Sequence, residues 1–126
     1  MKIICKESSK SIVKEKNRAS DIIEGGKNIF CVYCNNLITK QNFYTKVNDN
    51  HKHVFANPHG IVFEIACFKE AFGCTVLKDS SNEFSWFSGF VWQIVICNSC
   101  LNHLGWLFSS NSNSFFGLIL EKLYYN

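Results

Sequence analysis

Two short cysteine pairs, Cys31-Val-Tyr-Cys34 and Cys97-Asn-Ser-Cys100, are the residues of this chain best suited to chemistry. A Cys-x-x-Cys turn presents two thiolates at a separation that suits one metal ion. Two such turns supply the four sulfurs of a closed, structural zinc shell. The 62 residues between the pairs (35 to 96) far exceed the roughly 15–20 of a compact zinc ribbon. This spacing predicts one Zn²⁺ held by Cys31, Cys34, Cys97 and Cys100, clasping two distant parts of a globular domain. His103 follows Cys100 by three and offers a Cys₃His alternative, the weaker choice beside four cysteines already in register.

The second group is aromatic. Trp106 and Phe108 are two apart in a strand-like run and so share a face. Trp92 sits near the start of the run that ends at Cys97, and Trp86 lies in Ser85-Trp-Phe-Ser-Gly89, where turn chemistry needs no large ring. If the second knuckle turns the chain back, Trp92 and Trp106 stand about level across a hairpin. Taken singly, a tryptophan is usually buried payload. Three that converge, one of them from a Ser- and Gly-rich loop, favour an aromatic cage. Such cages hold cations by cation–π contact or flat polar rings by stacking. Glu83 is the one acid beside these residues, so a cation is not favoured.

Other groups offer less. Cys67 lies in the apolar run Ile65-Ala-Cys-Phe68 and reads as a small buried hydrophobe; Cys74 has no obvious lysine–histidine pair to activate it. His51 and His53 flank Lys52 in a polar turn, and His59 belongs to Asn57-Pro-His-Gly60, a turn explained by backbone geometry. There are no paired carboxylates in one segment, no Gly-rich phosphate loop and no nucleophile elbow.

The elements that must position these residues read as strands. Ile29-Phe-Cys-Val-Tyr leads into the first knuckle. The runs from Asn42 to Val47, His53 to Ala56, Ile61 to Phe68, Phe90 to Ile96, Leu104 to Phe108 and Phe115 to Leu123 follow, with turn residues between them. A helix over Cys67–Phe72 lacks a cap. Ser109–Ser114 is a polar loop between two strands. The pattern predicts an all-β fold of small antiparallel sheets. Residues 1–28 read as a partly flexible N-terminal extension, with a short helical turn at Ser20–Glu24, and residues 29–126 as the zinc-binding domain.

Composition agrees. A chain of 126 residues with 47% hydrophobic and 18% charged residues makes one globular domain rather than a disordered segment. Four thiolates around one Zn²⁺ take the formal +3 to about +1, too little for a nucleic-acid footprint. The seven cysteines are odd in number, and Met1-Lys-Ile-Ile-Cys-Lys-Glu has no apolar signal-peptide core, so disulfides are not expected. No run approaches the roughly 18 apolar residues of a membrane span. A reducing, cytoplasmic setting is the expectation.

Asn57-Pro-His-Gly60, Phe84-Ser-Trp-Phe-Ser-Gly-Phe-Val-Trp92, Cys97-Asn-Ser-Cys100, His103-Leu-Gly-Trp106 and Phe115-Phe-Gly-Leu118 occur in one order. Together they closely resemble the CULT domain, the thalidomide-binding domain of cereblon, and its single-domain bacterial relatives, over about residues 29–124. The resemblance implies a β-tent of two antiparallel sheets joined by one zinc, with a shallow, non-enzymatic pocket for cyclic imides of the glutarimide type. Uracil-like rings and cyclised peptide ends are related candidates. It implies Trp86, Trp92 and Trp106 as cage walls and Phe108 as the floor. The Phe84 carbonyl would accept from the imide N–H and the Trp86 amide would donate to an imide carbonyl. Asn57, Pro58, Glu83 and Ser85 complete the set. Two positions depart from the vertebrate pattern: Phe84 stands where histidine is found and Ser88 where proline is found. Nothing in the chain resembles the regions that dock on a ubiquitin-ligase adaptor, so no ligase role is expected. The alternative is a zinc enzyme like the B-type methionine sulfoxide reductases, which share the tent-like fold and add a nucleophilic cysteine.

Overall fold

The computed structural model describes residues 26–125, so the turn at Ser20–Glu24 and the extension to residue 25 lie outside the described residues. The described residues form nine strands in order: β1 Asn28–Cys31, β2 Leu37–Lys40, β3 Lys52–Ala56, β4 Val62–Phe68, β5 Cys74–Ser81, β6 Val91–Cys97, β7 His103–Ser109, β8 Ser114–Ile119 and β9 Leu123–Tyr125. They form two antiparallel sheets, a small one ordered β2-β1-β9 and a large one ordered β3-β4-β8-β7-β6-β5. The expected all-β, two-sheet class holds.

Both faces of the large sheet are covered, which explains its hydrophobic content. Side chains alternate across a strand, and β4 carries Ile65 and Cys67 on one face, Ala66 and Phe68 on the other, all fully buried. The Ala66 face packs with Val95, Leu104 and Leu118 against Ile29, Ile38 and Leu123 of the small sheet. The Ile65 face packs with Phe108, Phe115 and Ile119 beneath Phe87, from the connection between β5 and β6. One core is sheet on sheet. The other is sheet under loop.

Three local readings change. Asn42–Val47 is not a strand: β2 ends at Lys40, and Gln41–Phe43 form a single 3₁₀ turn. The chain leaves the small sheet there, as the Gln41 N–H donates to the Lys27 carbonyl at 2.8 Å. No helix forms at Cys67–Phe72, because Cys67 and Phe68 finish β4 against Gly117 and Phe116. β5 carried no signal in the sequence. It is an edge strand with mostly exposed residues, and an edge need not show the alternation that betrays a half-buried strand.

The Trp92–Trp106 hairpin is offset from its expected register. The pairs are Trp92 with Phe108 and Ile94 with Trp106, and a bulge between Val95 and Ile96 admits one extra residue on β7. Counting back from the second knuckle without that bulge would oppose Trp106 to Gln93, on the face away from Trp92. A one-residue slip reverses every side chain, so the bulge is what brings both indoles to one face. Gly105 lies at this bulge, where a Cβ would meet the Gly117 carbonyl oxygen at 2.1 Å. Only glycine lets β7 and β8 approach so closely.

Candidate functional site

The two cysteine turns are built alike. In the first, the Asn35 N–H donates to the Cys31 carbonyl at 2.9 Å and the Cys31 N–H to the Asn36 carbonyl at 2.9 Å. In the second, Leu101 N–H donates to Cys97 at 3.0 Å and Cys97 N–H to Asn102 at 2.9 Å. Asn35 and Leu101 take equivalent left-handed conformations, with φ of 66° and 67°. The first turn follows β1 of the small sheet and the second joins β6 to β7 of the large one. Their four sulfurs lie within 4.8 Å of one another. The Cys31–Cys100 and Cys34–Cys97 sulfurs are 3.7 and 3.5 Å apart, close to the about 3.8 Å edge of a tetrahedron with 2.3 Å zinc–sulfur bonds. This donor set fits a metal ion.

Nearby donors favour thiolates. Asn36 Nδ2–H and the Ser99 N–H reach the Cys97 sulfur at 3.5 and 3.4 Å, and Asn102 Nδ2–H reaches Cys100 at 3.2 Å. The Asn102 side chain and backbone bring the Cys100 thiol down to about 6. Burial opposes ionisation at Cys97, but the Cys100 and Ser99 amides with Asn36 bring it below its ordinary value. Burial pushes Cys31 up to about 12. A bound cation would offset that cost.

On the opposite face of the large sheet a cavity of about 360 Å³ is lined by Trp86, Trp92, Trp106 and Phe108, with Asn57, Pro58, Glu83 and Phe84 at its rim. Trp86 packs edge-on to Trp106 at 4.8 Å and parallel to Phe55 at 5.0 Å. Two of the walls are pinned by hydrogen bonds. Trp86 Nε1–H donates to the Ala56 carbonyl at 3.1 Å, and Trp92 Nε1–H to the Glu83 carbonyl at 2.8 Å. Among the described residues, no protein hydrogen bond engages the Phe84 carbonyl or the Trp86 amide. Phe84 itself is 73% exposed with φ of 56°, a conformation that a bulky residue rarely adopts. Asn57 Oδ1 accepts from the His59 and Ile61 amides, both at 3.0 Å, which fixes the Asn57–Gly60 turn beside the cavity.

Ser85 is the expected site residue that does not line this cavity. Its hydroxyl bridges locally, donating to the Phe87 carbonyl at 3.0 Å and accepting from the Phe87 amide at 3.4 Å. The structure instead adds Phe63, Ile94 and His103 to the lining. Ile94 was readable as the i+2 neighbour of Trp92. Phe63 and His103 reach the cavity only through strand register. Burial and then Lys122 lower the pKa of the His103 ring, and its Nε2 donates to the Gly105 carbonyl at 3.0 Å.

Neither candidate nucleophile lines this cavity. Cys67 is fully buried, and burial raises both Cys67 and Cys74 to about 12. A thiol held that high is a poor nucleophile.

No family model matches the chain. It is similar to protein cereblon of Xenopus tropicalis, 30% identical over 110 residues, or 82% of this chain and 25% of that protein. Protein cereblon of Gallus gallus is 29% identical over 110 residues, with the same shares covered. Protein cereblon of Drosophila simulans is 31% identical over 99 residues, or 71% of this chain and 16% of that protein. The chain spans about a quarter or less of the length of these curated relatives.

Proposed function

We infer that this chain, which carries a cereblon-like (CULT) domain, is a non-enzymatic binding module whose tryptophan cage takes cyclic imides or similar small rings. One observation supports the reading above others: Trp86, Trp92, Trp106 and Phe108 line one cavity beside a carbonyl and an amide that no protein group uses among the described residues. A glutarimide has apolar methylenes on one side and a donor flanked by two acceptors on the other. Aromatic walls suit the first, and the Phe84 carbonyl with the Trp86 amide suits the second. Uracil-like rings and cyclised peptide ends present a similar polar edge and belong to the same proposal.

The test separates polar recognition from mere burial. Tryptophan fluorescence should change when glutarimide is titrated in, and Trp106→Ala should abolish the response. N-methylglutarimide should bind roughly 5- to 150-fold more weakly, because the Phe84 carbonyl would face a methyl group and lose an acceptor's partner worth about 1–3 kcal/mol. Equal binding of the two imides would rule out this pose.

Zinc at the four cysteines is part of the proposal, supported by the all-sulfur donor set. So is a reducing, cytoplasmic setting, supported by the absence of a disulfide among the six described cysteines. Among the described residues no helix is long and apolar enough to cross a membrane. Likeness to the single-domain bacterial relatives belongs here as well, and the mass of the protein in its own cells tests it. No nucleic-acid partner and no ligase-adaptor docking is proposed. The absence of catalysis rests on Cys67 and Cys74, the thiols raised to about 12. Methionine sulfoxide with a dithiol reductant should give no turnover. Turnover that is lost in Cys67→Ala or Cys74→Ala would make the reductase reading the better one.

A further inference from the structure

We propose that Cys74 and Cys97 form a reversible disulfide under peroxide, and that this bond withdraws one sulfur from the four-cysteine cluster. The two residues are partners in the β5–β6 ladder. Beside them the Asn98 N–H donates to the Gly73 carbonyl at 2.9 Å. The Cys97 N–H turns away to the Asn102 carbonyl at 2.9 Å, and the Cys74 N–H to the Ala71 carbonyl at 3.1 Å. Neither cysteine amide is spent on the other, so they form a non-hydrogen-bonded pair. Such pairs hold their Cα atoms about 4.5 Å apart. A disulfide spans about 4.4–6.8 Å between Cα atoms, so this one needs little backbone movement.

Side chains directly opposite in an antiparallel pair share a face, and both cysteines pack in the core between the sheets. Cys67 packs in the other core, on the opposite face of the large sheet, and is no substitute. Cys74 is thus a fifth thiol beside the cluster, surplus to a four-sulfur shell. It is the half-buried member of the pair and stands on an edge strand, which gives an oxidant its approach. Peroxide transfers one oxygen to one of the two sulfurs; its O–O bond breaks and a water leaves. The other sulfur then displaces that oxygen: the S–S bond forms, the S–O bond breaks, and the second thiol's proton leaves with the oxygen as another water. The two sulfurs give up two electrons, which peroxide accepts. The ladder holds the partners side by side, so the high pKa of Cys74 is offset by proximity. Cys97 cannot serve both bonds, and a metal ion would keep three of its four sulfurs.

The link to the metal rests on the zinc reading above; the disulfide itself does not. The test treats the purified full chain with hydrogen peroxide, maps disulfides by mass spectrometry without reduction, and follows released zinc with a colorimetric chelator. The main crosslink should join Cys74 to Cys97, zinc should be lost as it forms, and dithiothreitol should restore both thiols and zinc binding. In Cys74→Ser that crosslink should be lost, and Cys97 should pass to sulfinic acid, which dithiothreitol does not reverse. A main crosslink within the four-cysteine set, such as Cys34 to Cys97, overturns the proposal. So does zinc that is released and recovered equally in wild type and Cys74→Ser. A chain that holds no zinc and still forms the Cys74–Cys97 bond supports the disulfide and overturns its link to the metal. Should Cys74→Ser not fold, the wild-type crosslink map decides alone: Cys74–Cys97 as the main bond supports the pair, and any other main bond, or none, overturns it.

Discussion

The Phe87 ring meets Phe108 edge-on at 4.9 Å and Phe115 at 5.0 Å, and is 2% exposed, although it belongs to a connection rather than a strand. Its neighbour Trp86 reaches the tryptophan-lined cavity. One side chain thus anchors the loop, and the adjacent one uses the position that results. Replacing Phe87 with alanine should cost about 3–5 kcal/mol, the usual range for a buried phenylalanine. It should also release Trp86 and weaken ring binding at temperatures where the domain is still folded. Denaturant unfolding and a glutarimide titration check the two effects separately. A loss below about 1 kcal/mol, or unchanged binding, would show that the loop is held by something else. Ser85 belongs to the same account: its local hydrogen bonds shape the loop, and no contact with a ligand is needed to explain it.

At the scale of elements, the β6–β7 hairpin sets the site through its irregularity. The bulge opposite Val95 lets Ile94 face Trp106 and Trp92 face Phe108. Gly105 sits where β7 runs closest to β8. Gly105→Ala would drive a methyl group to 2.1 Å from the Gly117 carbonyl oxygen, so the strands must separate or the bulge must move. A cost of about 1–3 kcal/mol is expected from overpacking of this kind. Because register and cavity share this hairpin, imide binding should fall by more than the residual folded fraction accounts for. Calorimetric melting beside a binding titration measures both. A variant with native affinity and native melting would show that the bulge tolerates a side chain.

At the scale of the whole molecule, the two sheets are joined by a shared core and by the cysteine cluster. β1 carries Cys31 in the small sheet, and the β6–β7 turn carries Cys97 and Cys100 in the large one. Without a bound cation, thiolates crowded within 4.8 Å repel one another or must take up protons. A structural metal therefore contributes folding free energy directly. About one zinc per purified chain is expected, and a strong chelator should lower the melting temperature sharply. Cys97→Ser should unfold or aggregate the domain. Protein that contains no metal, or that melts unchanged after Cys97→Ser, would remove the metal from this account. Acid should act in the same direction as chelation. Sulfur ligands must be deprotonated, so metal affinity is highest above the thiol pKa values and declines as protons compete at lower pH.

The four-cysteine cluster was legible in the sequence because a Cys-x-x-Cys turn is a local motif, and its geometry is fixed by a few consecutive residues. The Asn57–Gly60 turn and strands such as β4 were legible for the same reason: turn chemistry and apolar runs are read within one segment. The tryptophans were recognisable as a group, but their convergence on one cavity was not determined locally. It follows from a single extra residue in β7, from a loop anchored by Phe87, and from Phe63 and His103 arriving through strands that pair across the sheet. The polar, exposed edge strand β5 left no trace in the sequence, since nothing beyond it requires a buried face. Local motifs need only their neighbours along the chain. Register, bulges and edges depend on partners far away in sequence, and only the tertiary structure brings those partners together.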